Sequence, residues 1–257
     1  MRRLNRIFAK DNKTVVVAMD HGMGLGVNPA LDDTGRILEA IVRGGADAVL
    51  TSYGIARRYE RELESIGLVL RMDGGGSQLC GISECSRILY DVEDALKLGA
   101  DAMACMGFPG APYEYDSMSN VAALSALGRG WGLPLMAEML PGGFANDVPN
   151  TVGNVRLAVR YGCEVGADII KTTYVGSPEE FRTIIAAAFK PVIVLGGEKT
   201  TDIGSLFQAL ESAMACGASG VAIGRNVWKH AKPEAFTRAL AAIVHEGASA
   251  ADVLPML

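Results

Sequence analysis

Four times in this chain a Gly-Ala-Asp or Gly-Ala-Ser tripeptide closes a stretch with helical periodicity and opens an apolar run: Gly45-Ala46-Asp47, Gly99-Ala100-Asp101, Gly166-Ala167-Asp168 and Gly217-Ala218-Ser219. Glycine just past a helix accepts a positive φ, alanine keeps the bend close, and a strand begins within a residue or two, so the repeat reads as a recurring αβ turn. The runs that follow are AVLTS, AMACM, IIKTT and GVAIG. Four more lack that introduction: VVVAMD at 15–20, LVLRMD at 68–73, LPLMAEM at 133–139 and PVIVLGG at 191–197. Between the runs, DDTGRILEAIVR, ECSRILYDVEDALKLG, SMSNVAALSALGRG, TVGNVRLAVRYGCEVG, SPEEFRTIIAAAF, DIGSLFQALESAMACG and KPEAFTRALAAIVHEG carry the spacing of amphipathic helices. Several begin with Asp, Ser or Thr and have Glu in the first turn, as helix N-termini do. Eight apolar strands alternating with helices in 257 residues predict an α/β fold, a (β/α)8 TIM barrel over 1–257, with residues 1–13 as an N-terminal extension. A doubly wound sheet is the alternative, but it expects G-x-G-x-x-G after the first strand, where MDHGMGLG stands. No Pro- or Ser-rich linker marks a second domain.

A net charge of −5 without long charge runs excludes a nucleic-acid footprint and argues against a membrane-surface patch. No apolar stretch reaches the ~18 uninterrupted residues of a membrane span, and MRRLNRIFAKDNK lacks an apolar core before a cleavage site, so a soluble, cytoplasmic protein is expected. The five cysteines, Cys80, Cys85, Cys105, Cys163 and Cys216, are odd in number and never spaced C-x-x-C; they read as small buried hydrophobes in a reducing compartment. With only His21, His230 and His245, and no pair at i, i+4, the chain favours chemistry without a metal or cofactor. His230 and His245, in the last helical region, read as surface residues.

The active site of such a barrel forms at the C-terminal strand ends. Here these are polar: Asp20-His21-Gly22, Thr51-Ser52-Tyr53, Asp73 before Gly74-Gly75-Gly76, Cys105-Met106-Gly107, Glu138, Lys171-Thr172-Thr173-Tyr174, Gly196-Gly197 and Gly224-Arg225-Asn226. Gly196 and Gly197 let backbone N–H groups approach a ligand, and Gly224-Arg225 adds a guanidinium at the next strand end. Strands seven and eight are where barrels commonly hold phosphate. The alternative is that the glycines merely turn the chain and Arg225 pairs with a surface carboxylate. Lys171 follows ADII and is expected to face the barrel mouth, where burial lowers an amine's pKa and frees it as a nucleophile toward a carbonyl. An ion pair with Glu138 or Asp20 is the competing reading, although carboxylates beside a reactive lysine also serve proton transfer. Asp20 and His21 can orient hydroxyls or move protons, or can simply cap and hydrogen-bond the loop. Asp73 stands between loop architecture and ligand contact.

VVVAMDHG, ADIIKTTYVGSPEEF and VLGGEKT…GASGVAIGRNVWKH together resemble the class I aldolases of the DeoC/LacD family. The likeness is to the archaeal-type fructose-bisphosphate aldolases, with aminodideoxyheptulosonate synthases and autoinducer-2 phosphate thiolases as near relatives, and it spans nearly the whole chain. The resemblance implies a metal-independent enzyme that cleaves or forms a C–C bond in a phosphorylated ketose. It implies that Lys171 forms the Schiff base and that Asp20 assists proton transfer and hydroxyl recognition. It also implies that Gly196, Gly197, Gly224 and Arg225 hold the phosphate of a dihydroxyacetone phosphate-like donor, and that the chain assembles as a pentamer or decamer. One departure stands out. The family ends strand five with an aromatic, one residue, then Tyr-Pro-Arg-Gly, whose tyrosine is the general acid and base. This chain has Glu138-Met139-Leu140-Pro141-Gly142-Gly143. Residues two apart on a strand share a face, so Glu138 lies one layer below Leu140 and is a replacement shuttle, its pKa expected to be raised by burial and tuned by Lys171. Family members like LacD also have a glutamate near the Schiff-base lysine; the competing role for Glu138 is to neutralise that lysine. Tyr174 and His21 are further proton carriers. Arg57, Ser77, Gln78, Tyr113 and Tyr115 are unranked candidates for the distal half of a sugar. A lysine-dependent ketol or acyl transferase, and a sugar-phosphate-binding barrel without turnover, are the alternatives.

Overall fold

The Gly-Ala-Asp turns also tie strands together. Gly45, Gly99, Gly166 and Gly217 have φ of 89°, 72°, 104° and 100°, the left-handed region that glycine enters without penalty. The aspartate then accepts a backbone N–H from the preceding strand's start: Val15 N donates to Asp47 at 2.7 Å, Leu68 N to Asp101 at 3.1 Å and Leu135 N to Asp168 at 3.1 Å. In the serine version only backbone is used, with Ser219 N donating to Val192 O at 2.7 Å.

The strands so joined are β1 (Thr14–Ala18), β2 (Ala48–Thr51), β3 (Gly67–Arg71), β4 (Ala102–Gly107), β5 (Leu135–Met139), β6 (Ile169–Thr172), β7 (Val192–Leu195) and β8 (Gly220–Ile223). They are all parallel and close into a barrel, each beside the next in sequence and β8 beside β1. This is the expected (β/α)8 TIM barrel. The computed structural model describes residues 2–257 apart from 25, 75, 78, 80–85, 146–147 and 198; Gly75, Gln78, Cys80 and Cys85 therefore lie outside the described residues.

Side-chain alternation divides the core in two. Val16, Ala18, Leu50, Val69, Ala104, Met136, Ile169, Ile193 and Ala222 fill the barrel interior, together with Ile7 from the N-terminal segment. The opposite faces, such as Val15, Val17, Leu68, Leu70 and Ile170, pack under the surrounding helices. Stepping two residues up from Val69, Met136 and Ile169 gives Arg71, Glu138 and Lys171, so the layer above the apolar interior is charged. Small residues below it, Ala18, Ala104 and Ala222, leave room for these long side chains. At the other end residues 2–13 seal the barrel: Ile7 is fully buried, and a Cβ at Gly67 would lie 2.2 Å from the Arg6 carbonyl oxygen.

Two expectations change in the structure, and one helix is added to them. ECSRILYDVEDALKLG is not one helix: Arg87–Ile88 pair antiparallel with Asp73–Gly74, and the helix spans only Val92–Lys97, where Asp91 and Asp94 form a capping box. A short helix, Tyr53–Arg58, joins β2 to β3. His245 is not a free surface group. It sits in a π-helical turn, Ala242–Glu246, with Nδ1 at 2.9 Å from Asp11 and Nε2 at 3.0 Å from Asp47. The hydrogen bond with Asp47 outweighs burial and, with Asp11, lifts its pKa from 6.5 to about 9. Among the described residues no helix is long and apolar enough to cross a membrane.

Candidate active site

A cavity of about 460 Å³ opens at the C-terminal strand ends, within the range of small-molecule sites. Asp20, His21, Asp73, Glu138, Lys171, Gly196, Gly197, Gly224 and Arg225 line it, as does Leu140. Tyr174 is not brought there. It stands two residues past the end of β6, and its ring packs on Phe181 at 4.7 Å. Of the distal candidates, Tyr113 lines the cavity, whereas Arg57, Ser77 and Tyr115 are exposed outside its lining.

Lys171 and Glu138 are register partners on β6 and β5, which places Lys171 Nζ 2.7 Å from Glu138 Oε1. The other Glu138 oxygen receives Arg71 Nη2 at 2.5 Å. Arg71 is the group that sequence reasoning missed. Its Nε donates to Asp20 Oδ2 at 2.8 Å and its Nη1 lies 3.4 Å from Asp73 Oδ1, so one guanidinium joins three carboxylates. The signal was a basic residue within an apolar run, two residues before Asp73 and therefore on its face. Asp73 is further fixed by Ser86 Oγ at 2.6 Å and by the Met106 N–H at 3.0 Å, so its oxygens serve the frame of the site.

These contacts set the charges. Burial alone would raise Asp20, but the Arg71 guanidinium, helped by His21 and Lys171, holds it far below the usual carboxylate range. Glu138 reverses the sequence expectation. Burial does push its pKa up, yet Lys171 and Arg71 together outweigh burial, and the carboxyl lies below its ordinary value. Arg71 is held well above the ordinary guanidinium value because its carboxylates more than offset its burial. His21 shifts the other way: burial, with Lys171 and Arg225 nearby, lowers its pKa against the pull of Asp20, leaving a neutral imidazole near pH 7. Among the described residues its buried Nδ1 has no hydrogen-bond partner; it lies 3.7 Å from Asp20 Oδ1. The ring meets Trp228 edge-on at 5.5 Å.

Across the cavity from β5, the β7 and β8 ends expose backbone. Gly197 has φ of 63°, and a Cβ there would meet nothing within 4 Å among the described residues. A Cβ at Gly224 would fall 2.5 Å from both the Ala18 carbonyl oxygen and His21 Cε1, so this glycine permits the position of His21. Asn226, noted in the sequence only as part of a polar strand end, links the two loops: its Nδ2 donates to Gly196 O at 3.2 Å and its Oδ1 accepts Thr200 N at 2.9 Å. A bare backbone turn beside Arg225 has the chemistry of an anion cradle.

A family profile described as DeoC/LacD family aldolase matches residues 14–230. A 2-amino-3,7-dideoxy-D-threo-hept-6-ulosonate synthase from Halobacterium salinarum is 38% identical over 247 residues, covering 96% of this chain and 91% of that protein. The crystal structure of an archaeal fructose 1,6-bisphosphate aldolase superposes with a TM-score of 0.88 at 32% identity, covering 96% of this chain and 99% of the other. An archaeal fructose-1,6-bisphosphate aldolase whose catalytic lysine is covalently bound to the carbinolamine intermediate gives a TM-score of 0.86 at 31% identity, covering 95% and 98%.

Proposed function

The chain belongs to the DeoC/LacD family of aldolases and works as a class I, Schiff-base-forming aldolase, and we propose that Lys171 is the amine that forms the Schiff base. The observation that carries this assignment is the 2.7 Å contact of Lys171 with Glu138 inside a cavity whose far wall is an anion cradle. A phosphorylated ketose fits that polarity. Gly196, Gly197, Gly224 and Arg225 hold the phosphate of a dihydroxyacetone phosphate-type half, which keeps the carbonyl carbon beside Lys171.

Glu138 takes the ammonium proton, and the freed amine attacks the carbonyl. Loss of water gives an iminium, which draws in the electrons of the C3–C4 bond as a base removes the C4 hydroxyl proton. Asp20, a carboxylate, and His21, a neutral imidazole whose Nδ1 has no hydrogen-bond partner among the described residues, are the bases available for that removal. The aldehyde half leaves, the enamine is protonated, and hydrolysis returns the lysine. Reduction with borohydride in the presence of dihydroxyacetone phosphate is expected to add the ligand's mass to the intact protein, and Lys171→Met to abolish the adduct. An unmodified wild-type protein would overturn the assignment. A second reading, ketol or acyl transfer to an acceptor, draws on Leu140: an apolar side chain where the family resemblance leads one to expect a proton-transferring tyrosine leaves protonation of the enamine less well served.

A further inference from the structure

The cavity wall opposite the anion cradle has a different chemistry. There the ends of β3, β4 and β5 present Leu89, Met106, Phe108, Leu140 and Phe144. Phe108 meets Phe144 edge-on with ring centroids 5.5 Å apart, and Leu89 and Phe144, 51% and 48% exposed, carry the apolar surface out to the mouth. The cations of the described lining are Arg71, Lys171 and Arg225. Arg71 is engaged by three carboxylates, Lys171 is the nucleophile, and Arg225 belongs to the cradle already assigned to one phosphate. His21 stays neutral near pH 7. No Lys, Arg or His occurs among the residues outside the described set. A second phosphate on this side would rest on apolar carbon beside Asp20, Asp73 and Glu138, losing its hydration without gaining a counter-charge.

We propose that the half of the substrate beyond the reacting bond is an unphosphorylated, apolar chain, so that the acceptor is an aliphatic aldehyde and the ketose a monophosphate. The proposal rests on the aldolase reading above. In the synthetic direction the enamine carbon attacks the aldehyde carbon; the enamine electron pair becomes the new C–C bond and the aldehyde oxygen takes a proton. The apolar wall then buries the alkyl tail, at a gain that grows with each methylene until the wall is covered.

The test couples two readouts on the full-length enzyme. Borohydride trapping with dihydroxyacetone phosphate first reports the amine. Initial rates with dihydroxyacetone phosphate plus butanal are then compared with those for glyceraldehyde 3-phosphate. The expected kcat/KM ratio favours butanal on the order of a hundredfold, because the site leaves a phosphate unpaired. Phe144→Arg at the half-exposed mouth is expected to raise the rate with glyceraldehyde 3-phosphate about tenfold. Preference for the phosphorylated aldehyde, or turnover of neither aldehyde by a protein that forms the adduct, overturns the apolar acceptor while leaving the Schiff base intact. Absence of the adduct overturns the aldolase reading and this proposal with it.

Discussion

At the N-terminal end of the barrel Asp47, Asp101 and Asp168 each place a carboxylate oxygen on a backbone N–H. At the C-terminal end the carboxylates of Asp20 and Glu138 are held by the side chains of Arg71 and Lys171 instead. A backbone donor never changes charge. A lysine that becomes an amine and then an iminium, the role proposed for Lys171, does, so on that proposal the C-terminal cluster redistributes charge during turnover while the N-terminal one keeps its own. The difference is between acids that fix geometry and acids whose protonation states depend on one another.

Arg71→Met tests that dependence most severely. Removing the guanidinium leaves three buried carboxylates facing each other, and chemical denaturation is expected to show a loss of about 3–5 kcal/mol. Asp101→Ala at the opposite end exposes one N–H and is expected to cost about 1–3 kcal/mol. Equal losses would erase the contrast. Glu138→Gln keeps the shape but not the charge; the cleavage kcat is expected to fall on the order of a hundredfold, and an unchanged rate would remove Glu138 from proton transfer.

The N-terminal end has a titrating member of its own. His245 is raised from 6.5 to about 9, so its ion pairs stabilise the fold fully below pH 6.5 and less as pH climbs through 9. Thermal melts of wild type and His245→Gln are therefore expected to differ at pH 6 by roughly 1 kcal/mol, after solvent screening of a partly exposed group, and to converge by pH 10. Melting curves that stay parallel across this range would show that the histidine does not titrate with folding. The smallest effect is expected of Tyr174→Phe, whose ring packs on Phe181 outside the cavity: kcat within about twofold of wild type. A large loss would bring Tyr174 back as a proton carrier.

The barrel was legible in the sequence because its turns repeat and its strands are uniformly apolar, as strands covered on both faces must be. Lys171, Glu138 and the two glycine loops were legible because position along a strand fixes height in the barrel. Arg71 was passed over because LVLRMD was read only to its terminal Asp73, although alternation puts both residues on one face. The expectation at Glu138 left Arg71 out: burial was expected to win, whereas Lys171 and Arg71 together outweigh it. Tyr174 was named from its nearness in sequence to Lys171, but it stands two residues past the end of β6 and outside the cavity lining, where strand position no longer fixes direction. The break in ECSRILYDVEDALKLG could have been found from Asp91 and Asp94, three residues apart as a capping box requires. The pairing of Arg87–Ile88 with Asp73–Gly74 has no local signal, since it depends on a partner on the other side of the 75–86 segment.

Among the described residues the aspartate ties fall only before even-numbered strands, which makes β1–β2, β3–β4 and β5–β6 stitched pairs, whereas Pro134 and Pro191 lead into β5 and β7 without such a tie there. The chain is thereby divided into quarters, with seams that can be cut. New termini opened by circular permutation at a seam leave every carboxylate tie within one segment, while a cut at Gly99 or Gly166 separates an aspartate from the helix that delivers it.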